Sequence, residues 1–155
     1  IGFCCGNPLL IEALARVKSY LDYGAYTPIQ VAATAALNGP QDCVAEVREM
    51  YRERRDTLVE AFSQAGWEVP PPPASMFCWA PLPPEIAHVG SMAFAKLALT
   101  EAKVAVSPGV GFGEYGEGYV RLGLVENRHR IRQAARNLKS FLSSDPERSL
   151  ALAAE

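Results

Sequence analysis

The sequence has no apolar run close to the ~20 residues that a helix needs to cross a bilayer. It also has little surplus charge, since 15 Lys and Arg stand against 17 Asp and Glu for a formal net charge of −2. Binding to a nucleic-acid backbone requires a basic surplus or a basic stripe. The sequence therefore predicts neither a membrane nor a nucleic acid as a partner.

Histidine and cysteine are scarce. The chain has 2 His and 4 Cys, and no two cysteines form a C-x-x-C pair, so no metal site with the usual zinc spacing is expected. Free cysteines of this kind favour reduced, mostly buried thiols in a cytoplasmic protein. The first residues show neither a basic segment nor a cleavage pattern, which argues against a signal peptide. An apolar start without methionine suggests a piece of a longer chain.

Three helices are expected in the first part of the chain. Asn7-Pro8 and Thr27-Pro28 each place a capping residue before proline, which is a start signal. The first helix should end near Gly24. The third helix covers residues 40–66, and at 1.5 Å per residue it would be roughly 40 Å long. A small domain alone cannot cover a helix of that length, so we expect it to bridge two bodies.

The second part alternates strand-like and helical patterns, as expected for helices packed on a small sheet. Ser91 and Asn127 are predicted to cap two further helices. Short strands are expected at residues 1–5, 67–69, 75–79, 104–106 and 119–123. The fold class is therefore predicted to be α/β.

Arg121 is the conspicuous residue of the last strand. Period-two alternation puts it on the opposite face from Val120 and Leu122, beside Tyr119 and Gly123. An unpaired buried charge is costly, so Arg121 must reach solvent or pair with an anion. Its planar guanidinium suits a carboxylate held by two parallel hydrogen bonds. The alternatives are an ion pair with a local acid and an exposed edge strand.

A glycine-rich loop precedes that strand, with the sequence Ser107-Pro108-Gly109-Val110-Gly111-Phe112-Gly113. It joins a strand to a strand, whereas phosphate-binding loops open a helix, so a phosphate site is not expected. A loop that approaches a ligand closely and a plain connector both remain open. The sequence shows no Ser/His/Asp arrangement and no paired carboxylates that would indicate a catalytic residue.

Several blocks occur in one order that resembles class I/II aminotransferases of fold type I, which depend on pyridoxal phosphate. The match runs from Ile1 to about Leu142. The blocks are Ile1-Gly2-Phe3, Tyr26-Thr27-Pro28-Ile29-Gln30, Pro73-Ala74-Ser75-Met76-Phe77-Cys78-Trp79, Val106-Ser107-Pro108-Gly109 with Phe112-Gly113, and Tyr119-Val120-Arg121-Leu122.

The resemblance implies an architecture. Residues 1–38 would be the C-terminal piece of the large cofactor domain. Residues 39–144 would form the long interdomain helix and a small C-terminal α/β domain, whose short, mostly antiparallel or mixed sheet is covered by helices. Residues 145–155 would be a tail. Family members of this kind are cytoplasmic homodimers.

The resemblance also implies site residues. Arg121 is similar to the arginine that binds the substrate α-carboxylate. Tyr26 and Thr27 match a segment that approaches the neighbouring subunit's cofactor in family dimers. Ala74 and Ser75 resemble small residues that line the substrate side of the cleft.

The implied reaction moves an amino group between an L-amino acid and a 2-oxo acid. Stretches such as Asp22-Tyr23-Gly24 and Leu124-Val125-Glu126-Asn127-Arg128 are most similar to the alanine and glutamate branch, with LL-diaminopimelate as the alternative substrate. The family's Ser-Lys pair, which holds pyridoxal phosphate as a Schiff base, is absent from this sequence. We therefore expect these residues alone to be inactive and not to bind the cofactor covalently. A free-standing, non-enzymatic α/β binding domain is the alternative of another class.

Overall fold

The computed structural model describes residues 1–144, and the expected tail at 145–155 lies outside them. The regular elements of the described part are five α-helices and three strands: α1 Pro8–Leu21, α2 Thr27–Asn38, α3 Asp42–Ser63, β1 Phe77–Pro81, α4 Ser91–Thr100, β2 Ser107–Pro108, β3 Tyr119–Gly123 and α5 Arg128–Ser143. The chain divides into two compact units, and the division falls within α3, after Glu46.

The first unit contains α1 and α2. The side-chain oxygen of Asn7 accepts a hydrogen bond from the Leu9 amide at 2.9 Å, which confirms the predicted start of α1. Neither helix contains a buried residue. The prediction of a strand at residues 1–5 is wrong. The strands of the described residues all lie between residues 77 and 123, and none of them pairs with residues 1–5.

The prediction of mostly buried thiols is also wrong. Cys78 is buried on β1, whereas the other three cysteines, Cys4, Cys5 and Cys43, are exposed. The exposed thiols all lie in the first unit, whose two complete helices have no buried face.

Helix α3 has 22 residues, so it spans about 33 Å rather than the 40 Å expected from sequence. It ends at Ser63. The chain then turns back, and the Trp67 amide donates to the Phe62 carbonyl oxygen at 2.9 Å. Gly66 has a φ of +89°, the left-handed conformation that closes helices. Leu58 and Phe62 on its last turns are buried in the core of the second unit.

The second unit is built on the sheet, with strand order β1-β3-β2 and antiparallel pairing throughout. Cys78 and Ala80 of β1 and Val120 and Leu122 of β3 point into a core shared with α3, α4 and α5. This arrangement confirms the predicted α/β class with a short antiparallel sheet. The strand β3 matches its predicted bounds, and Asn127 caps α5 as expected by accepting from the His129 and Arg130 amides at 3.0 Å.

Two further predicted strands are wrong. Trp67 and Val69 are buried on either side of exposed Glu68, but they join no ladder and are followed by four prolines, which have no N–H to donate. Residues 104–106 also pair with no strand, because the Val104 amide donates to the Ala98 carbonyl oxygen of α4 at 2.9 Å. The strand expected at 75–79 starts only at Phe77, since Ser75 has a φ of +82°.

Candidate functional site

The central strand presents Arg121 away from the core. Val120 and Leu122 are buried, whereas Tyr119, Arg121 and Gly123 face the other side of the sheet, as the alternation predicted. Trp79 of β1 and Ser107 of β2 are its direct cross-strand partners. The edge-strand alternative is therefore wrong, because β3 has a neighbour on each side.

Two aromatic rings contact the Arg121 guanidinium. Its central carbon lies 4.2 Å from the centroid of Phe77 and 4.5 Å from that of Phe112. Both distances are within the range of cation–π attraction. One guanidinium nitrogen, Nη2, also donates to the Ser107 hydroxyl oxygen at 3.4 Å, which is long for a hydrogen bond.

Arg121 has no carboxylate partner among residues 1–144. Other arginines of this part of the chain do: Arg52 pairs with Glu49, Arg55 with Asp56 and Arg128 with Glu53. A guanidinium has five N–H donors, and the long bond to Ser107 uses one of them. Within the described residues Arg121 therefore forms no structural ion pair, and most of its donors have no hydrogen-bond partner there.

Further rings surround this position. Trp79 stacks on Tyr119 with centroids 5.7 Å apart, and it meets Phe112 edge-on at 5.8 Å. We call Phe77, Trp79, Phe112 and Tyr119 the aromatic cluster. Because rings replace water around the guanidinium, an ion pair formed there is less screened than one in bulk solvent.

The glycine-rich loop, residues 107–118, brings Phe112 to this face. It forms two 3-10 turns, Gly109–Phe112 and Glu114–Gly116. The backbones of Gly109 and Gly116 touch, since a methyl group added at Gly109 would lie 2.0 Å from the Gly116 carbonyl oxygen. The loop does more than connect β2 to β3, because it places the Phe112 ring against Arg121.

The loop is also attached to α4 through Ser91 and Glu117. The Ser91 amide donates to Glu117 Oε1 at 2.5 Å, and the Ser91 hydroxyl donates to Oε2 at 3.1 Å. The Val110 amide in turn donates to the Ser91 hydroxyl oxygen at 3.3 Å. The Ser91 amide first, then the Gly118 amide and the Ser91 hydroxyl, donate to the Glu117 carboxylate and hold its pKa below the ordinary value.

The expectation that Ser91 caps α4 is wrong. Gly90 occupies the cap position and gives no side-chain hydrogen bond, while Ser91 is the first helical residue. The Glu117 carboxylate, from a distant part of the sequence, supplies the acceptor and the negative charge that a helix N-terminus favours.

The other predicted site residues are all exposed. Ala74 and Ser75 are exposed in the turn before β1, and no hydrogen bond or ring contact joins them to Arg121. Tyr26 is the residue before α2 and Thr27 is its first residue, both exposed and both in the first unit. Their assigned roles stay predictions.

Sequence reasoning assigned no role to Phe77, Phe112 or Ser107. Phe77 lies two residues before Trp79 on the same face of β1, and this period-two spacing was the available signal. Nothing local to Phe112 or Ser107 indicates contact with Arg121, because the fold of the loop and the strand register create that contact.

All four lysines of the chain are exposed. Lys18 bonds Asp22 at 2.7 Å, and Lys103 donates to the Thr100 carbonyl oxygen at 2.6 Å. Lys96 and Lys139 are exposed on α4 and α5, and no lysine contacts Arg121. The described residues contain no group of three potential metal ligands, and no described helix is both long and apolar enough to span a bilayer.

Among residues 1–144, the α/β unit thus presents a half-buried arginine that contacts two aromatic rings and has no acidic partner. Residues 1–138 match the family "Aminotransferase class I and II", and the chain belongs to this family. The resemblance found in the sequence is thereby confirmed. Members of the family generally depend on pyridoxal phosphate.

Two curated relatives are similar over most of the chain. "Putative aminotransferase AatC" of Rhizobium meliloti is 65% identical over 95% of this chain and 36% of its own length. "Glutamate-pyruvate aminotransferase AlaC" of Escherichia coli is 56% identical over 94% of this chain and 35% of its own length. The chain thus spans about a third of the length of the curated relatives it matches.

The crystal structure of an aromatic aminotransferase from Pyrococcus horikoshii is similar in three dimensions. It superposes with a TM-score of 0.83 and 28% identity, covering 94% of this chain and 38% of that one. This likeness confirms the predicted fold type.

Proposed function

We propose that this chain supplies the substrate-carboxylate site of an aminotransferase, with Arg121 binding the α-carboxylate. The observation that carries the proposal is the half-buried guanidinium of Arg121, which has no acid partner among the described residues and keeps donors open to solvent. Family membership supplies the reaction class. Amino-acid and 2-oxo-acid substrates both carry a carboxylate next to the reacting carbon, so one arginine serves both directions of transfer.

The residues of this chain contribute binding and orientation. Two parallel hydrogen bonds from a planar guanidinium fix the direction of the carboxylate, and thereby that of the adjacent reacting carbon. Pyridoxal phosphate supplies the electron sink in this family. None of the four lysines of the sequence follows a serine, as the Schiff-base lysine of this family does, so we propose that these residues do not hold the cofactor covalently and are inactive alone.

We propose alanine and glutamate, with their 2-oxo acids, as the substrates of the complete protein. The 56% identity to a glutamate–pyruvate aminotransferase supports this choice over LL-diaminopimelate. The complete protein is proposed to be a cytoplasmic homodimer. Residues 1–38 are assigned to the end of its large domain, with Tyr26 and Thr27 near the neighbouring subunit's cofactor. Residues 39–144 are assigned to the interdomain helix and small domain, with Ala74 and Ser75 lining the cleft.

The test is amino transfer by the complete protein from L-alanine, L-glutamate and LL-diaminopimelate, with and without Arg121→Lys. Lysine keeps the charge but replaces a two-point grip by one contact. Charge-assisted hydrogen bonds contribute on the order of 1.5–3 kcal/mol each, so kcat/KM should fall by roughly ten- to a few-hundred-fold for every substrate accepted. Arg132→Lys, at an exposed position on α5, is the matched control and should change nothing.

Unchanged kinetics in Arg121→Lys would refute the assigned role. Absence of any amino transfer by the complete protein would favour the non-enzymatic binding domain instead. A preference for LL-diaminopimelate over L-alanine would keep the site and replace the substrate.

A further inference from the structure

We propose that Phe77 and Phe112 are positioning residues that fix the plane of the Arg121 guanidinium for the incoming carboxylate. The inference rests on the proposed function, since it assumes that Arg121 binds a carboxylate. Among residues 1–144 the Arg121 side chain makes a single hydrogen bond, which is 3.4 Å long and too weak to orient a long and flexible side chain. Something else has to hold the guanidinium.

The two rings provide that restraint. Their centroids lie 4.2 and 4.5 Å from the same guanidinium carbon. No ring contact joins Phe77 to Phe112, so each ring contacts the guanidinium separately. A cation that contacts two rings loses freedom of rotation about its last bonds, while the N–H groups that do not face a ring stay available to an acceptor.

Each ring is itself held by the surrounding structure. Phe77 stands opposite Gly123 across the β1–β3 pair, and its ring lies beside the Gly123 backbone, 4.0 Å from where an added methyl group would stand. Phe112 ends a 3-10 turn and leans edge-on against Trp79 at 5.8 Å. The two contacts thus come from a strand and from the glycine-rich loop, and they restrain Arg121 independently.

Phe112 is the better position for a test because it is 53% exposed, so its replacement should leave the core intact. Phe112→Leu removes the ring and keeps an apolar side chain, whereas Phe112→Tyr keeps the ring. Tyr115→Leu is the matched control, since Tyr115 lies in the same loop, is 91% exposed and touches no ring.

The first measurement is steady-state kinetics of the complete protein with L-alanine. Phe112→Leu should raise KM by about two- to fivefold, the factor that corresponds to losing one solvent-facing cation–π contact. The kcat should change much less, because the carboxylate is bound equally before and during the reaction. Phe112→Tyr should restore the wild-type KM, and Tyr115→Leu should not alter it.

The second measurement needs no catalysis. In protein labelled with ¹⁵N-arginine, the Nε–H resonance of Arg121 should be displaced by the ring currents of two nearby rings. It should move toward the ordinary arginine position in Phe112→Leu and stay in place in Tyr115→Leu.

An unchanged KM and an unmoved resonance in Phe112→Leu would overturn the proposal while leaving the role of Arg121 intact. A strong defect in kcat with an unchanged KM would also overturn it. The proposed function fails by a different result, a kinetically silent Arg121→Lys.

Discussion

Replacement of Gly109 by alanine should damage the site through the backbone of the glycine-rich loop. The added methyl group would lie 2.0 Å from the Gly116 carbonyl oxygen and 2.5 Å from that of Tyr119. Both obstacles are backbone atoms, so no side-chain rotation relieves the clash. Relief requires the loop to move by about 1 Å, and overpacking of this kind costs about 1–3 kcal/mol or more.

The loss has two readouts. A destabilisation of about 1–3 kcal/mol should lower the Tm of the 155-residue chain by about 2–4 °C per kcal/mol. Thermal unfolding measures this change. Displacement of the loop also moves Phe112 away from Arg121, so KM for L-alanine should rise in the complete protein. Gly111→Ala is the matched control, because open space surrounds that position in the same loop. Equal melting temperatures and KM values for the two variants would refute the reasoning.

Two further predictions concern Glu117 and the lysines. Three hydrogen bonds lower the folded-state pKa of Glu117, and their donors are the Ser91 amide, the Gly118 amide and the Ser91 hydroxyl. The stabilisation that the ionised Glu117 carboxylate gives the folded protein is therefore present above its ordinary pKa of 4.5 and is lost as pH falls through its folded-state pKa. Thermal unfolding of wild type and Glu117→Gln should therefore differ at neutral pH and converge in acid, and a constant difference would contradict the assignment. Borohydride reduction of the 155-residue chain with pyridoxal phosphate, followed by peptide mapping, should label no single lysine stoichiometrically, whereas one uniquely labelled lysine would refute the inactivity of these residues alone.

Elements specified by nearby residues were predictable from sequence. The strand β3 follows from apolar residues at alternate positions, and α5 follows from Asn127, whose side chain accepts from amides two and three residues later. The outward direction of Arg121 has the same local origin, because neighbours in a strand point to opposite faces.

Elements decided by distant contacts were not predictable. Trp67 is buried without a strand because its ring nitrogen donates to the Pro81 carbonyl oxygen at 2.7 Å. The N-terminus of α4 is capped by Glu117 rather than by the neighbouring Ser91 side chain that the sequence indicated. In both cases the hydrogen-bond acceptor lies more than ten residues away in the sequence. The local pattern had predicted a strand at Trp67 and a Ser91 side-chain cap on α4 instead.

The candidate site divides in the same way. Sequence reasoning identified Arg121 and its preference for an anion, but it left an ion pair as an alternative, because the absence of a nearby acid is a property of the folded chain. The contacts of Phe77 and Phe112 with Arg121 depend on strand register and on the close approach of Gly109 to Gly116. Neither the strand register nor the approach of the two glycines is encoded by residues adjacent to Arg121.

The most direct test of the central claim is a crystal structure of the complete protein with L-alanine bound. We predict that the two oxygens of its carboxylate lie about 2.7–2.9 Å from two guanidinium nitrogens of Arg121, with Phe77 and Phe112 still flanking the cation. A carboxylate bound by a different residue, with Arg121 paired to an acid of the protein, would contradict the account.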